Sequence, residues 1–269
     1  MSSFTQALVA SDPAVFQRAT QSPFLRRAAQ GTVSKEVLGR YLANDRLYVH
    51  GYLRAAGRLI SFLPLPQVVP AAGGELHADP ASRLLAWTID DLINIQHEER
   101  FLVDTARKYG IEVNLPADEH GRVPASAKTP GLRQFEALFD GLQLGGGDGG
   151  LLPWLESAVV FYGTEKCYLE AWTWAKSQVD EDKDKDGADD EDGGMVRREL
   201  IANWTGPEFE AFVDQLAGII DAAVQTQEED AKEALLQRGL VKWREILAAE
   251  EASWPVIDAD PTIPSRVKE

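Results

Sequence analysis

Apolar residues recur along this chain every three to four positions, the spacing that gathers them on one face of an α-helix. The pattern predicts helix over residues 14–30, restarting at Ser22-Pro23, and again from an N-capping Ser34 up to Pro64. It resumes over 81–109 and stops at Gly110. A shorter helix follows in PGLRQFEALFDGL, closed by GGGDGG. Further helices are predicted over 151–179, 196–203, 207–238 (with Pro207 at the start) and 240–252, before Pro255 and a polar tail. PLPQVVPAAGGELHADP reads as loop. No stretch alternates apolar and polar residues over a strand length, and no internal repeat is visible. The expected fold class is all-α, a multi-helical bundle forming one domain over residues 1–269.

Three of these helical faces share an irregularity. In YLANDRLYVHGY, Tyr41, Asp45, Tyr48 and Tyr52 fall at i, i+4, i+7 and i+11. Phe161, Glu165, Tyr168 and Trp172 repeat those intervals, as do Trp243, Leu247, Glu250 and Trp254, the last just before Pro255 and past the predicted helix end. Each time an acid stands inside a stripe that should face the interior. A lone buried carboxylate costs several kcal/mol or takes up a proton, and one such acid is commonly satisfied by an arginine or a backbone amide. Three on three helices can instead face one cavity. Carboxyls gathered in an aromatic cage titrate together, which suits acid–base chemistry. The cage suits a flat cationic or nitrogen-rich ring, held by stacking and by ring and amino N–H groups.

Charge narrows the partners. A net charge of −16 and a pI near 4.7 argue against nucleic acid and against anionic membrane surfaces. No apolar run approaches the roughly 20 residues of a spanning helix, and MSSFTQALVASD lacks the basic start and apolar core of a secretory leader. With Cys167 the single cysteine, a cytoplasmic location is expected. Residues 180–194, DEDKDKDGADDEDGG, hold nine acids against two lysines and are expected to form a solvated, mobile surface insert. Asp182, Asp184, Asp186 and Gly187 imitate the first half of a calcium loop, but Asp189 and Gly193 stand where an apolar residue and a bidentate Glu are needed.

No metal or other cofactor is expected. None of His50, His77, His97 and His120 has a Glu three positions before it, as bundle di-iron sites require, and no His precedes His50 to serve as a haem ligand. His97-Glu98-Glu99 reads as a solvent-facing patch or one paired with Arg100. Cys167 has no nearby His to activate it and reads as a small core residue.

Residues 22–52, with a Pro-Phe, a Gly-Thr and then Tyr-x-x-x-Asp-x-x-Tyr, resemble the opening of the TenA/THI-4 family, the thiaminase II-like proteins. The resemblance continues in family order through IQHEERFLVDTARKYGI (95–111), TEKCYLEAW (164–172), IANWTGPEFEAFVDQL (201–216) and LAAEEASW (247–254). It implies a haem-oxygenase-like bundle without haem and hydrolysis of aminomethylpyrimidines derived from damaged thiamin. By position, Asp45 resembles the acid that grips the pyrimidine, Tyr48 a pocket wall and donor, and Glu250 the acid–base residue at the leaving amine. Tyr41 and Tyr168 are further candidate walls. Trp204 falls where many members carry a pocket Tyr, so it can stack but offers no hydroxyl. The family's nucleophilic Cys after Leu-Leu-Pro is missing; Trp154 or Glu156 stands there, depending on register. The chain therefore resembles the Cys-lacking branch, with Glu165, or failing it Glu156, as the replacing base. The expected activity is aminopyrimidine hydrolysis in thiamin salvage. The expected partner is a small pyrimidine, with no nucleic acid or membrane and room for a homo-oligomer. A haem-oxygenase-like oxidase and a non-catalytic pyrimidine-binding protein remain alternatives.

Overall fold

Every regular element of the computed structural model, which describes residues 2–68, 79–143, 150–179 and 187–257, is helical. The first expected stretch, 14–30, is two short helices, α2 (Pro13–Thr20) and α3 (Pro23–Ala29), divided at the expected Ser22-Pro23 restart, and a further helix that periodicity does not reveal, α1 (Phe4–Ala10), precedes them. Each begins on a side chain that accepts a backbone N–H of the first turn: Ser3, reciprocated by Gln6, then Asp12, then Ser22. Ser34 caps α4 (Lys35–Phe62) in the same way, Asp79 caps α5 (Pro80–Tyr109), and Thr129 caps α6 (Pro130–Asp140). After α7 (Leu155–Ser177), a π-turn at Val196–Leu200 runs into α8 (Ile201–Trp204).

The two C-terminal helices divide earlier than periodicity suggests. α9 (Pro207–Gln225) stops short of 238, and α10 (Glu229–Ser253) starts well before 240. Glu228 takes the extended conformation of an N-cap, and the acids Glu229 and Asp230 follow in the first turn, where the helix dipole favours them. Gly239, which resembles a break, lies inside α10, where a Cβ would come 2.6 Å from the Phe4 ring. Its smallness serves the packing of α1.

The acidic insert also departs from expectation in its second half, while residues 180–186, with the calcium-like run, lie outside the described residues. Asp190 and Asp192 are buried. Both oxygens of Asp190 accept from Arg197, at 2.6 and 2.7 Å. Asp192 caps the π-turn by accepting from the Gly194 and Val196 N–H groups. Charge does not keep these acids in water, because an arginine and two backbone donors replace the water.

α10 packs along α7, α6 and α2, while α4 lies between α5 and α6, and α9 covers α5 and α7. The buried side chains form two apolar groups. One is built around Tyr52, Trp87, Phe161 and Trp243, the other around Phe24, Tyr41, Trp172 and Trp254. No helix among the described residues is long and apolar enough to cross a membrane.

The start of α6 fixes the spacing of α4 and α10. Asn44 on α4 accepts the Thr129 N–H at 2.8 Å. Two residues on, Gly131 sits so close to α10 that a Cβ would come 2.3 Å from the Ser253 nitrogen and 2.5 Å from the Ala249 oxygen. Backbone cannot yield as a side-chain tip does. Gly131→Ala is expected to destabilise the fold by about 2–3 kcal/mol in urea titrations. Gly57→Ala, in the open on α4 with nothing within 4 Å of the new carbon, should stabilise it by roughly 0.5–1 kcal/mol through helix propensity. Equal effects from the two would contradict this packing.

Candidate active site

Where the two apolar groups meet, the helices leave a cavity of about 430 Å³. Tyr41, Asp45 and Tyr48 reach it from α4, Glu165 and Tyr168 from α7, Trp204 from α8 and Glu250 from α10. The structure thus brings all seven sequence-predicted residues to one place, because each stripe turns the same face inward. Glu156 is not among them. Arg238 holds it in a bidentate pair at 2.6 and 2.7 Å, away from the cavity. Cys167 is fully buried in the core, where burial, then the charges of Glu250 and Glu170, push its thiol pKa up. It stays a thiol.

Three further acids line the cavity, Asp91 and Glu98 of α5 and the exposed Glu208 of α9, and the first two lie deeper. The signal of those two was present: Trp87, Asp91, Asn94 and Glu98 have the same i, i+4, i+7, i+11 intervals, but the stripe ends on an acid and resembles a solvated face. Glu98 is a correction to the reading of 97–99 as solvent-facing or bound to Arg100. It turns inward and accepts from the Trp204 indole N–H at 2.6 Å and from Asn203 at 3.1 Å. Glu99 pairs with His50 and, more loosely, Arg46.

No Lys or Arg is among the described residues lining the cavity. The acids are held by neutral donors instead. The Tyr41 hydroxyl donates to Tyr168 at 3.4 Å, Tyr168 donates to Asp45 at 3.3 Å, and Tyr52 donates to Asp91 at 3.0 Å. Without cations, ionisation is penalised throughout. Burial, then the charges of Glu98 and Glu165, raise Asp45 to about 7 against the Tyr168 hydrogen bond. Glu165 rises to about 7 through burial, moderated by Tyr52 and reinforced by Glu98. Burial, then Asp45 and Glu165, hold Glu250 well above the carboxylate range. The cavity therefore contains two groups that keep their protons near neutrality, Glu250 and Asp91, and two poised to exchange theirs, Asp45 and Glu165, the separation that acid–base pairs need.

Aromatic rings complete the walls. Tyr41 stacks on Trp254 with centroids 5.7 Å apart, Tyr168 meets Trp204 edge-on at 5.1 Å, and Tyr48 packs against Phe135 at 5.0 Å. Trp254 follows the last turn of α10, as its place before Pro255 suggests, yet its indole is buried and donates to the Ala19 carbonyl. Among the described residues no cluster of His, Cys, Asp and Glu has the geometry to hold a metal ion.

No family model matches the chain. Among curated proteins it is similar to a probable transcription factor from Fusarium pseudograminearum, 24% identical over 250 residues. The match covers 84% of this chain and 46% of that protein, so the chain spans about half the length of the curated relative. Among solved structures, a TenA homologue from Pyrococcus furiosus superposes with a TM-score of 0.63 at 20% identity, covering 93% of this chain and all of its own (100%). A TenA homologue from P. horikoshii gives 0.61 at 15% identity, covering 94% and 99%. A TenA family transcription regulator from Silicibacter sp. TM1040 gives 0.59 at 13%, covering 93% and 96%. The chain has the fold of the TenA proteins, the all-α bundle its sequence led us to expect.

The raised carboxyls give stability a definite pH dependence. In the unfolded chain Asp45 and Glu165 release their protons near pH 4, whereas folded they keep them to about 7. Between those limits the folded form binds more protons, so their contribution falls as pH rises and is lost above about 7. Glu165→Gln has no proton to lose. It should raise Tm at pH 8 by about 2–4 °C, about 1 kcal/mol once water in the cavity is allowed for, and change it little at pH 4. Thermal melts at the two pH values check this, and a larger gain in acid would reverse the sign.

Proposed function

We propose that this protein is a thiaminase II-like member of the TenA family, an aminopyrimidine hydrolase that replaces an aminomethyl nitrogen by hydroxyl in the salvage of degraded thiamin. The observation that carries this reading is the gathering of carboxyls, free of cations, inside an aromatic cavity. Such a site repels anions and favours a flat ring rich in N–H groups. The shared fold and the ordered sequence resemblance support the same reading.

In the proposed reaction the pyrimidine stacks among Tyr48, Tyr168 and Trp204. A carboxyl poised near neutrality suits Asp45 to grip the ring, since in its protonated form it donates to a ring nitrogen while its other oxygen accepts from the exocyclic amine. Tyr168 and Tyr41 steady it. Glu165, as carboxylate, takes a proton from water as the oxygen forms its bond to the methylene carbon. The carbon–nitrogen bond breaks, and Glu250, which holds its proton near neutrality, gives it to the departing amine. The products are hydroxymethylpyrimidine and ammonia, leaving Glu165 protonated and Glu250 ionised, to be reset by exchange with water. No covalent intermediate is required, consistent with the absence of a cavity cysteine.

Three variants test the assignment, each by turnover and by equilibrium binding of an aminomethylpyrimidine. Asp45→Asn should mainly weaken binding, since an amide keeps the donor and acceptor but is a weaker donor than a carboxylic acid and cannot pass a proton to the ring nitrogen. Glu165→Gln should bind nearly as well as the parent but turn over roughly 10²–10⁴-fold more slowly. Cys167→Ser should change the rate little. An inactive serine variant beside an active Glu165→Gln would restore a nucleophilic thiol. Binding without turnover in the parent protein would instead favour a ligand-binding role, in keeping with the regulatory names that some relatives carry.

A further inference from the structure

The proposed reaction leaves one enclosed acid unused. Asp91 is 2% exposed and borders the cavity. One of its oxygens accepts the Tyr52 hydroxyl at 3.0 Å, and the other has no hydrogen-bond partner. Tyr52 is itself fully buried, wedged edge-on against Phe161 at 4.8 Å and against Phe139 at 5.9 Å, so its hydroxyl cannot swing away. That hydroxyl also lies within reach of Glu165. Two carboxyls therefore flank one phenol.

We propose that Asp91 is a positioning residue for Glu165: it carries the one proton that the two carboxyls share and keeps the Tyr52 hydroxyl turned toward itself, leaving Glu165 as the carboxylate that faces water. Like charges enclosed this closely do not both ionise. The choice between them follows from exposure. The second oxygen of Asp91 is sealed from the surface and meets no protein donor to support a charge, whereas Glu165 is half-buried and opens to the cavity. The groups around the pair do not reverse this. Asp45 and Tyr48 on α4, Glu98 on α5, Tyr168 on α7 and Glu250 on α10 are all acids or phenols, Glu208 on α9 is an exposed acid, and His97 is exposed. Burial and the Glu165 charge push Asp91 in the same direction, well above the carboxylate range. With its proton fixed on Asp91, the pair presents a single base of defined location, and Tyr52 does not weaken that base by donating to it fully.

The proposal rests on the hydrolase reading only for the word base, so the first measurement needs no turnover. In infrared spectra of the ligand-free protein at pH 7.5 (about half a unit above the Glu165 midpoint), Asp91→Asn should remove one carboxylic-acid C=O band that Glu165→Gln retains. In Glu165→Gln the remaining Asp91 band should titrate at least a unit lower, because the neighbouring charge is gone. A band lost in Glu165→Gln and kept in Asp91→Asn would place the proton on the wrong residue and overturn the proposal. The second measurement is the pH–rate profile with an aminomethylpyrimidine. Asp91→Ala frees Tyr52 to donate to Glu165, so the acid limb should move down by about a unit, and Asp91→Asn, which keeps an acceptor for Tyr52, should restore it. An unmoved limb in a folded Asp91→Ala protein counts against the positioning role. Should that variant not fold, Tyr52→Phe provides a second test: with the hydroxyl committed to Asp91 its removal should leave the limb nearly unmoved, and a rise of about a unit would show Tyr52 donating to Glu165 and overturn the positioning role. Absence of turnover in the parent protein would remove the hydrolase reading and leave the infrared result to decide the proton's place.

Discussion

Acids enclosed without cations are the constraint on which this structure turns. Elsewhere in the protein, enclosed carboxylates receive arginines or backbone N–H groups: Asp190 is gripped by Arg197, the half-buried Glu156 by Arg238, and Asp192 by the Gly194 and Val196 amides. Around the cavity the same bundle supplies phenols, an indole and an amide instead. An arginine would hold each acid permanently ionised, with its pKa pulled down. A neutral donor orients a carboxyl without deciding its charge. The cavity acids can therefore change protonation near neutrality, at a cost in stability that a purely structural pair would not carry. That contrast within one molecule sets the cavity acids apart from the paired acids elsewhere.

The scaffold must then hold these groups in register, since nothing within the cavity attracts them to one another. Like charges on α4, α5, α7 and α10 would spread the helices if packing did not oppose them. The start of α6 provides much of that opposition, bonded to Asn44 and pressed against α10 at Gly131. Trp254 closes the far end, stacked between Tyr41 and Phe24 and anchored on Ala19, a contact between residues far apart in the chain. Such large buried rings contribute a few kcal/mol each, enough to offset the repulsion of partly protonated acids.

Much of this was legible in the sequence because it is encoded locally. The i, i+4, i+7, i+11 intervals mark a helical face, so Asp45, Glu165 and Glu250 could be singled out one helix at a time. Asp91 and Glu98 share those intervals but sit among DD and HEE, where local polarity resembles solvent and only the tertiary fold shows otherwise. The seven residues of α1 are too few for periodicity to show, although a capping box of Ser3 with Gln6 opens the helix, and the extended backbone at Glu228 that divides α9 from α10 has no side-chain cap to announce it. The choice between Glu156 and Glu165 could not be made from spacing, since it depends on Arg238, more than eighty residues away. The buried half of the acidic insert was hidden for the same reason. Its charge was visible, but the arginine and backbone donors that neutralise it are supplied by the fold.

The missing cysteine and the acidic walls belong to one chemical argument. A thiolate in this cavity would be an anion among acids, its pKa raised by burial and by like charges, and so a poor nucleophile at neutral pH. Water needs only a neighbouring base. In the proposed reaction, moreover, positive charge develops on the methylene carbon as the protonated amine departs, shared with the electron-rich aminopyrimidine ring. Fixed negative charge and aromatic faces stabilise such a centre, and in an enclosed site they do so more strongly than water would. Carbon–nitrogen cleavage can then run ahead of carbon–oxygen bond formation, which lowers the demand on the nucleophile. On this reasoning the acids that make a thiolate unworkable here are the same groups that make it unnecessary.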